Sequence, residues 1–164
     1  PAAAASPRPE TSANQADVLF AQMMIPHHRQ AVEMAELAET RASDPEIKKL
    51  AARIKAAQDP EIVTMRGWLA RWGAVEMSMT GEHAEHGMPG MMTEKAMAEL
   101  AAAKGAAFDR MFARMMIEHH DGAIDMARTV QAQGADPKVK ELAGTIIAVQ
   151  QAEIAQMRKL LQRL

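Results

Sequence analysis

Two stretches of this chain place paired methionines one helical turn ahead of paired histidines: Met23-Met24-Ile25-Pro26-His27-His28 and Met115-Met116-Ile117-Glu118-His119-His120. Residues four apart share one side of a helix, so Met23 lies beside His27, Met24 beside His28, Met115 beside His119 and Met116 beside His120. Imidazole serves copper, zinc, iron and nickel alike, whereas a thioether narrows the choice toward Cu(I) or silver. Methionine is also a soft ligand that forms no disulfide, which suits an oxidising compartment. These residues are candidate ligands for a soft metal ion. A plainer reading stands beside it. Methionine fills irregular gaps in helical cores, and a histidine on an apolar face is often a hydrogen-bonded structural residue.

A helical wheel separates the donors further. With Met23 at zero, Met34 falls at about 20°, His27 at about 40°, Phe20 at about 60° and Ala31 at about 80°, while His28 lies near 140°. The second stretch repeats this pattern with Met126 in the place of Met34. Two other segments add polar groups to apolar faces. Gln58 and Glu61 fall within about 40° of Ile54, on the stripe that also carries Met65; Gln150 and Glu153 repeat this against Ile146 and Met157. A carboxylate aimed into a core needs a partner or a proton. Glu61 and Glu153 are therefore expected to hydrogen-bond and orient histidines of a facing helix, with direct ligation as the alternative.

The elements that must hold these groups are duplicated. Residues 109–164 repeat residues 17–72 at a constant offset of 92, without a gap, and 25 of the 56 aligned positions are identical. A first helix is expected from about Asp17 to Arg41. Asp44-Pro45 supplies an N-cap and a proline at the first helical position, opening a second helix to about Trp72. Thr93 caps a short helix ending near Gly105; a third long helix runs from about Asp109 to Gln133 and stops at Gly134; Asp136-Pro137 opens the fourth. Each long helix spans roughly 35–42 Å. Matched lengths and short links predict two αα-hairpins in an all-α four-helix bundle. Pro26 within the first helix faces Glu118 across the repeat, so two similar but unequal Met/His sites are expected.

Residues 73–108 form the crossover between the halves, and residues 73–92 within it are rich in Gly and Met and carry His83 and His86. If helical, that His-x-x-His pair could clamp a metal; a solvated loop is the plainer reading. Residues 1–16, PAAAASPRPETSANQA, read as a disordered leader of the kind that follows a removed export signal, which would put the protein outside the cytoplasm. The chain contains no cysteine, which removes disulfides, thiolate zinc sites, iron–sulfur clusters and cysteine nucleophiles. Net charge is −2 with both signs interspersed, so no basic footprint for nucleic acid is present. No apolar stretch approaches a transmembrane span. Neither a nucleophile–base pairing nor a phosphate-binding glycine loop appears, so catalysis by the protein alone is not expected.

Taken together, Asp17, Phe20, Met24 to His28, Ala31, Met34-Ala35 and the run Gln58 to Met65, recurring at Asp109, Phe112, Met116 to His120, Ala123, Met126-Ala127 and Gln150 to Met157, resemble domain-of-unknown-function family 305. That family includes CopM-type periplasmic copper-binding proteins. The resemblance covers about residues 15–164. It implies a ferritin-like helical bundle, export, and copper binding in some members. Pro60, opposite Ala152, departs from the pattern within the second helix. The leading expectation is an exported protein that sequesters or hands on Cu(I), with metal ions as its ligands and no protein partner or oligomeric state specified by the sequence. The alternative is a metal-free structural or interaction bundle. A ferritin-like di-metal oxidase ranks last, because such sites use Glu-x-x-His on two helices and no glutamate here has histidine three residues later.

Overall fold

The computed structural model describes residues 12–77 and 88–164. Among them are five helices and no strand: α1 (Gln15–Arg41), α2 (Pro45–Trp72), the short α3 (Glu94–Ala102), α4 (Gly105–Gln133) and α5 (Pro137–Leu161). Helix α1 packs on α2, α4 on α5, and the two hairpins meet along an α1–α4 seam over which α3 lies. This is the all-α bundle that the repeat predicts. No helix among the described residues is long and apolar enough to cross a membrane.

The ends of the elements follow local chemistry. Asp44 and Asp136 each accept from a backbone N–H two residues on, with Pro45 and Pro137 in the first turn, as expected. Thr93 caps α3 through Ala96 N–H. Two starts differ from expectation. Helix α1 begins at Gln15, within the segment read as leader, because Asn14 and Asp17 form a capping box. Helix α4 begins at Gly105, not near Asp109. Asp109 is no cap; its buried carboxylate turns across to the other hairpin, where Ser43 N–H and Oγ–H and Asp44 N–H donate to it.

Asp17 does the same in reverse. Its Oδ2 accepts from Ala135 N–H (2.9 Å) and Asp136 N–H (3.0 Å), so each hairpin holds the other's turn by one carboxylate. That contact explains Gly134. Its φ is −74°, so no left-handed turn requires glycine there. A Cβ would instead collide with Asp17 Oδ1 and with the Val130 carbonyl. Both Pro26 and Pro60 lie inside continuous helices.

Two apolar clusters form the core, one at each end of the bundle. One joins Ala31, Met34 and Ala38 of α1 and Ile47, Leu50 and Ile54 of α2 to Phe108, Phe112 and Met116 of α4 and Met157 of α5. The other joins Phe20 and Met24, Met65 and Leu69, Met126 and Val130, and Val139 and Ile146. Each cluster draws on both hairpins, so neither hairpin has a core of its own. Between them lies a layer of buried polar groups.

Candidate metal centre

That layer contains His27, His28, His119, His120, Gln58 and Gln150, none more than 3% exposed. Adjacent histidines point to different neighbours because successive helical residues are about 100° apart. His28 faces α2, where its Nε2 is 2.9 Å from Glu61 Oε1; His120 faces α5, with Nε2 2.8 Å from Glu153 Oε1. His27 and His119 face the seam and stack on each other, ring centroids 3.7 Å apart and planes inclined by 29°. The two His pairs, expected as separate clusters, thus form one layer at the centre of the bundle.

Hydrogen bonding fixes which ring nitrogens are free. His28 and His120 donate Nε2–H to carboxylates, and His27 donates Nε2–H to the Pro89 carbonyl at 3.0 Å. Among the described residues, the Nδ1 atoms of His27, His28 and His120 have no partner, nor does Nε2 of His119. Nor do the Oε1 atoms of Gln58 and Gln150. Buried polar atoms are ordinarily satisfied by protein, ordered water or a bound ion, so these nitrogens and amide oxygens are the atoms at which water or an ion would be bound. Burial, reinforced by neighbouring His28 and His120, pushes His27 down from 6.5 to about 3. His119 is also held well below the usual imidazole range, by burial first and then by the other three histidines. Both rings are neutral, which is the form that binds metals.

The thioethers lie in the flanking clusters. Met24, Met65 and Met126 belong to one, with half-buried Met23 at its edge. Met34, Met116 and Met157 belong to the other, with half-buried Met115 at its edge. Met92, from the end of the crossover, joins that second cluster. Among the described residues no three His, Asp or Glu side chains converge as a metal ion would need. A hard-ligand cage is therefore not built here; the free imidazole nitrogens and nearby sulfurs make a donor set suited to a soft ion. His83 and His86 lie outside the described residues.

The wheel did not reveal the strap that closes this layer. Pro89 and Gly90 (φ +77°) run across α4 at Gly122, where a Cβ would strike the Pro89 carbonyl. Gln30, which aligns with Gly122 across the repeat, grips the strap from α1: its Nε2 donates to Met92 O at 3.0 Å and its Oε1 accepts from Met92 N–H at 2.8 Å. The one available signal was this Gln30/Gly122 mismatch.

Known proteins share this fold. The family model described as domain of unknown function (DUF305) matches residues 17–161. A DUF305 fragment from Deinococcus radiodurans superposes with a TM-score of 0.84 at 34% identity, covering 93% of this chain and 99% of that one. A DUF305 protein of Streptomyces coelicolor, described as secreted, gives 0.83 at 33% identity, covering 90% and 93%. CopM in its Cu(II)-bound form gives 0.79 at 40% identity, covering 90% and 96%; the same protein is also known in Cu(I)-bound and Ag-bound forms. An uncharacterized protein, L153, of Acanthamoeba polyphaga mimivirus is 40% identical over 53 residues, a match spanning 35% of its length. By the extent of the family match and the agreement of the folds, this chain belongs to the DUF305 family.

Proposed function

We propose that this protein binds Cu(I) as cargo in the buried imidazole layer, outside the cytoplasm, and sequesters it or hands it on. The observation that carries this reading is the set of unpartnered, buried ring nitrogens on four neighbouring histidines. His27, His28, His119 and His120 supply nitrogen, and Met23, Met24, Met115 and Met116, one turn away on the same helices, are the first candidates for sulfur. Met34, Met65, Met126 and Met157 line the clusters on either side. Glu61 and Glu153 fix ring orientation and tautomer of His28 and His120 from behind, as carboxylates do for metal-binding histidines. The likeness to CopM, a protein known in copper- and silver-bound forms, supports the metal class. Likeness to a secreted relative supports export. His83 and His86 of the crossover are further candidate ligands.

The test is competition for Cu(I) against a chromophoric chelator. The wild-type protein should withdraw Cu(I), and replacing His27, His28, His119 and His120 by Ala should abolish or greatly weaken this. No competition at all, or unchanged competition in those variants, would overturn the proposal.

A metal-free structural bundle is the second reading, favoured by the completed His28–Glu61 and His120–Glu153 bonds and by the lack, among the described residues, of a three-residue His/Asp/Glu site. Thermal unfolding separates the two. A ligand that binds only the native state raises apparent stability, so a melting temperature indifferent to Cu(I) supports the metal-free bundle.

A further inference from the structure

The α1–α4 seam has two grooves, one on each side of the histidine layer, related by the same offset of 92 residues. They are closed differently. Over the C-terminal half of α1 and the N-terminal half of α4, helix α3 lies on the seam with Leu100 fully buried, and Leu37, Met97, Met111 and Met115 pack against the same cluster. No helix among the described residues lies on the other groove. It is a cleft of about 280 Å³ whose lining includes Leu19, Met23, Pro89, Asp125, Met126 and Thr129. Leu19 on its rim is 46% exposed. Met23 and Met126 occupy the positions that Met115 and Met34 hold in the covered groove.

Pro89 belongs to both the cleft and the histidine layer. It lines the cleft, and its carbonyl accepts the Nε2–H of His27. The equivalent nitrogen on His119 has no partner among the described residues. The strap can lie this deep only because Gly122 lacks a side chain. A gap of that kind, opposite Gln30 in the other repeat, places one closure on one side of an otherwise paired arrangement.

We propose that this cleft is the port through which a soft cation reaches the imidazole layer, with the Pro89–Gly90 strap as its closure. The proposal rests on the Cu(I) reading above and deepens it. Asp125 at the mouth attracts a cation, the thioethers of Met23 and Met126 offer it the first soft ligands inside, and displacement of Pro89 joins the cleft to the ring of His27. The covered groove, sealed by α3, offers no such route.

The experiment times Cu(I) uptake by the whole protein. Cu(I) is supplied from acetonitrile, and unbound metal is trapped with a chromophoric chelator at set intervals. Thr129→Phe fills the cleft from an exposed position and should slow uptake several-fold without changing the final stoichiometry. Gly122→Ala pushes the strap outward and should speed uptake. Val63→Phe, on the exposed surface of α2, should leave the rate unchanged. Equal rates for wild type and Thr129→Phe, or equal slowing by Val63→Phe, would overturn the port while leaving the copper reading intact. A wild-type protein that takes up no Cu(I) would overturn both. Because Thr129 is exposed, its variant decides the matter even if Gly122→Ala fails to fold.

Discussion

Buried neutral imidazoles tie the stability of this bundle to pH. In the unfolded chain His27 titrates near 6.5; in the fold it is pushed down to about 3 by burial and by its histidine neighbours. Between those values the unfolded state binds the extra proton and the folded state does not, so stability rises with pH. The contribution is complete above about 6.5 and is lost as pH falls toward 3, with His119 acting in the same direction. Thermal melts from pH 7 to pH 4 should show a progressive loss, reduced in a His27→Gln variant. A flat profile would mean that the rings titrate in the fold as they do in the unfolded chain. The carboxylates behind the other two rings make a second prediction. Glu61→Ala or Glu153→Ala leaves a buried N–H without its acceptor and should cost about 1–3 kcal/mol in denaturant unfolding. Each should also weaken Cu(I) binding by about 10–100-fold, the usual effect of losing a partner behind a ligating histidine. Much of this layer is legible in the sequence, because a wheel puts His27 inward and Glu61 on the face opposing α1. What it could not give is the stacking of His27 on His119. That depends on the register between hairpins, which long-range packing sets.

At the level of elements, Asp17 and Asp109 work as reciprocal clasps. Each sits on one hairpin, is buried, and accepts backbone N–H groups from the turn of the other. Asp109→Ala strands the Ser43 and Asp44 donors and should cost about 1–3 kcal/mol; a double-mutant cycle with Ser43→Ala would show coupling through the 2.7 Å Oγ–H contact. Additive effects of the two substitutions would rule out the hydroxyl contact, and an Asp109→Ala variant as stable as wild type would rule out the clasp. Composition and spacing read both aspartates as plain helix starts, since Asp is a common N-cap. At Asp109 a tertiary partner claims a side chain that local propensity would spend on its own helix, whereas Asp17 serves both its own capping box and the other hairpin's turn. The same holds at Gly134, where glycine yields room to Asp17 instead of turning the chain.

Across the whole molecule, the halves are interdependent. Both apolar clusters mix residues from both hairpins, and both clasps cross between them. A fragment ending at residue 77 should therefore show little stable helix by circular dichroism, because most helical stability in a folded protein comes from tertiary packing of the apolar face. A fragment as helical and cooperative as the intact chain would contradict this. The duplication is plain in the sequence, and so is the bundle it builds. Its consequence for the site is not: an offset in one dimension gives no hint that the two His pairs meet in the middle, or that one groove is covered by α3 while no described helix covers its counterpart. The central claim is that this shared layer receives the metal. The most direct test is a Cu(I)-loaded crystal measured at the copper absorption edge. Anomalous density among His27, His28, His119 and His120 is the expected result; density confined to other parts of the chain, or none, would contradict it.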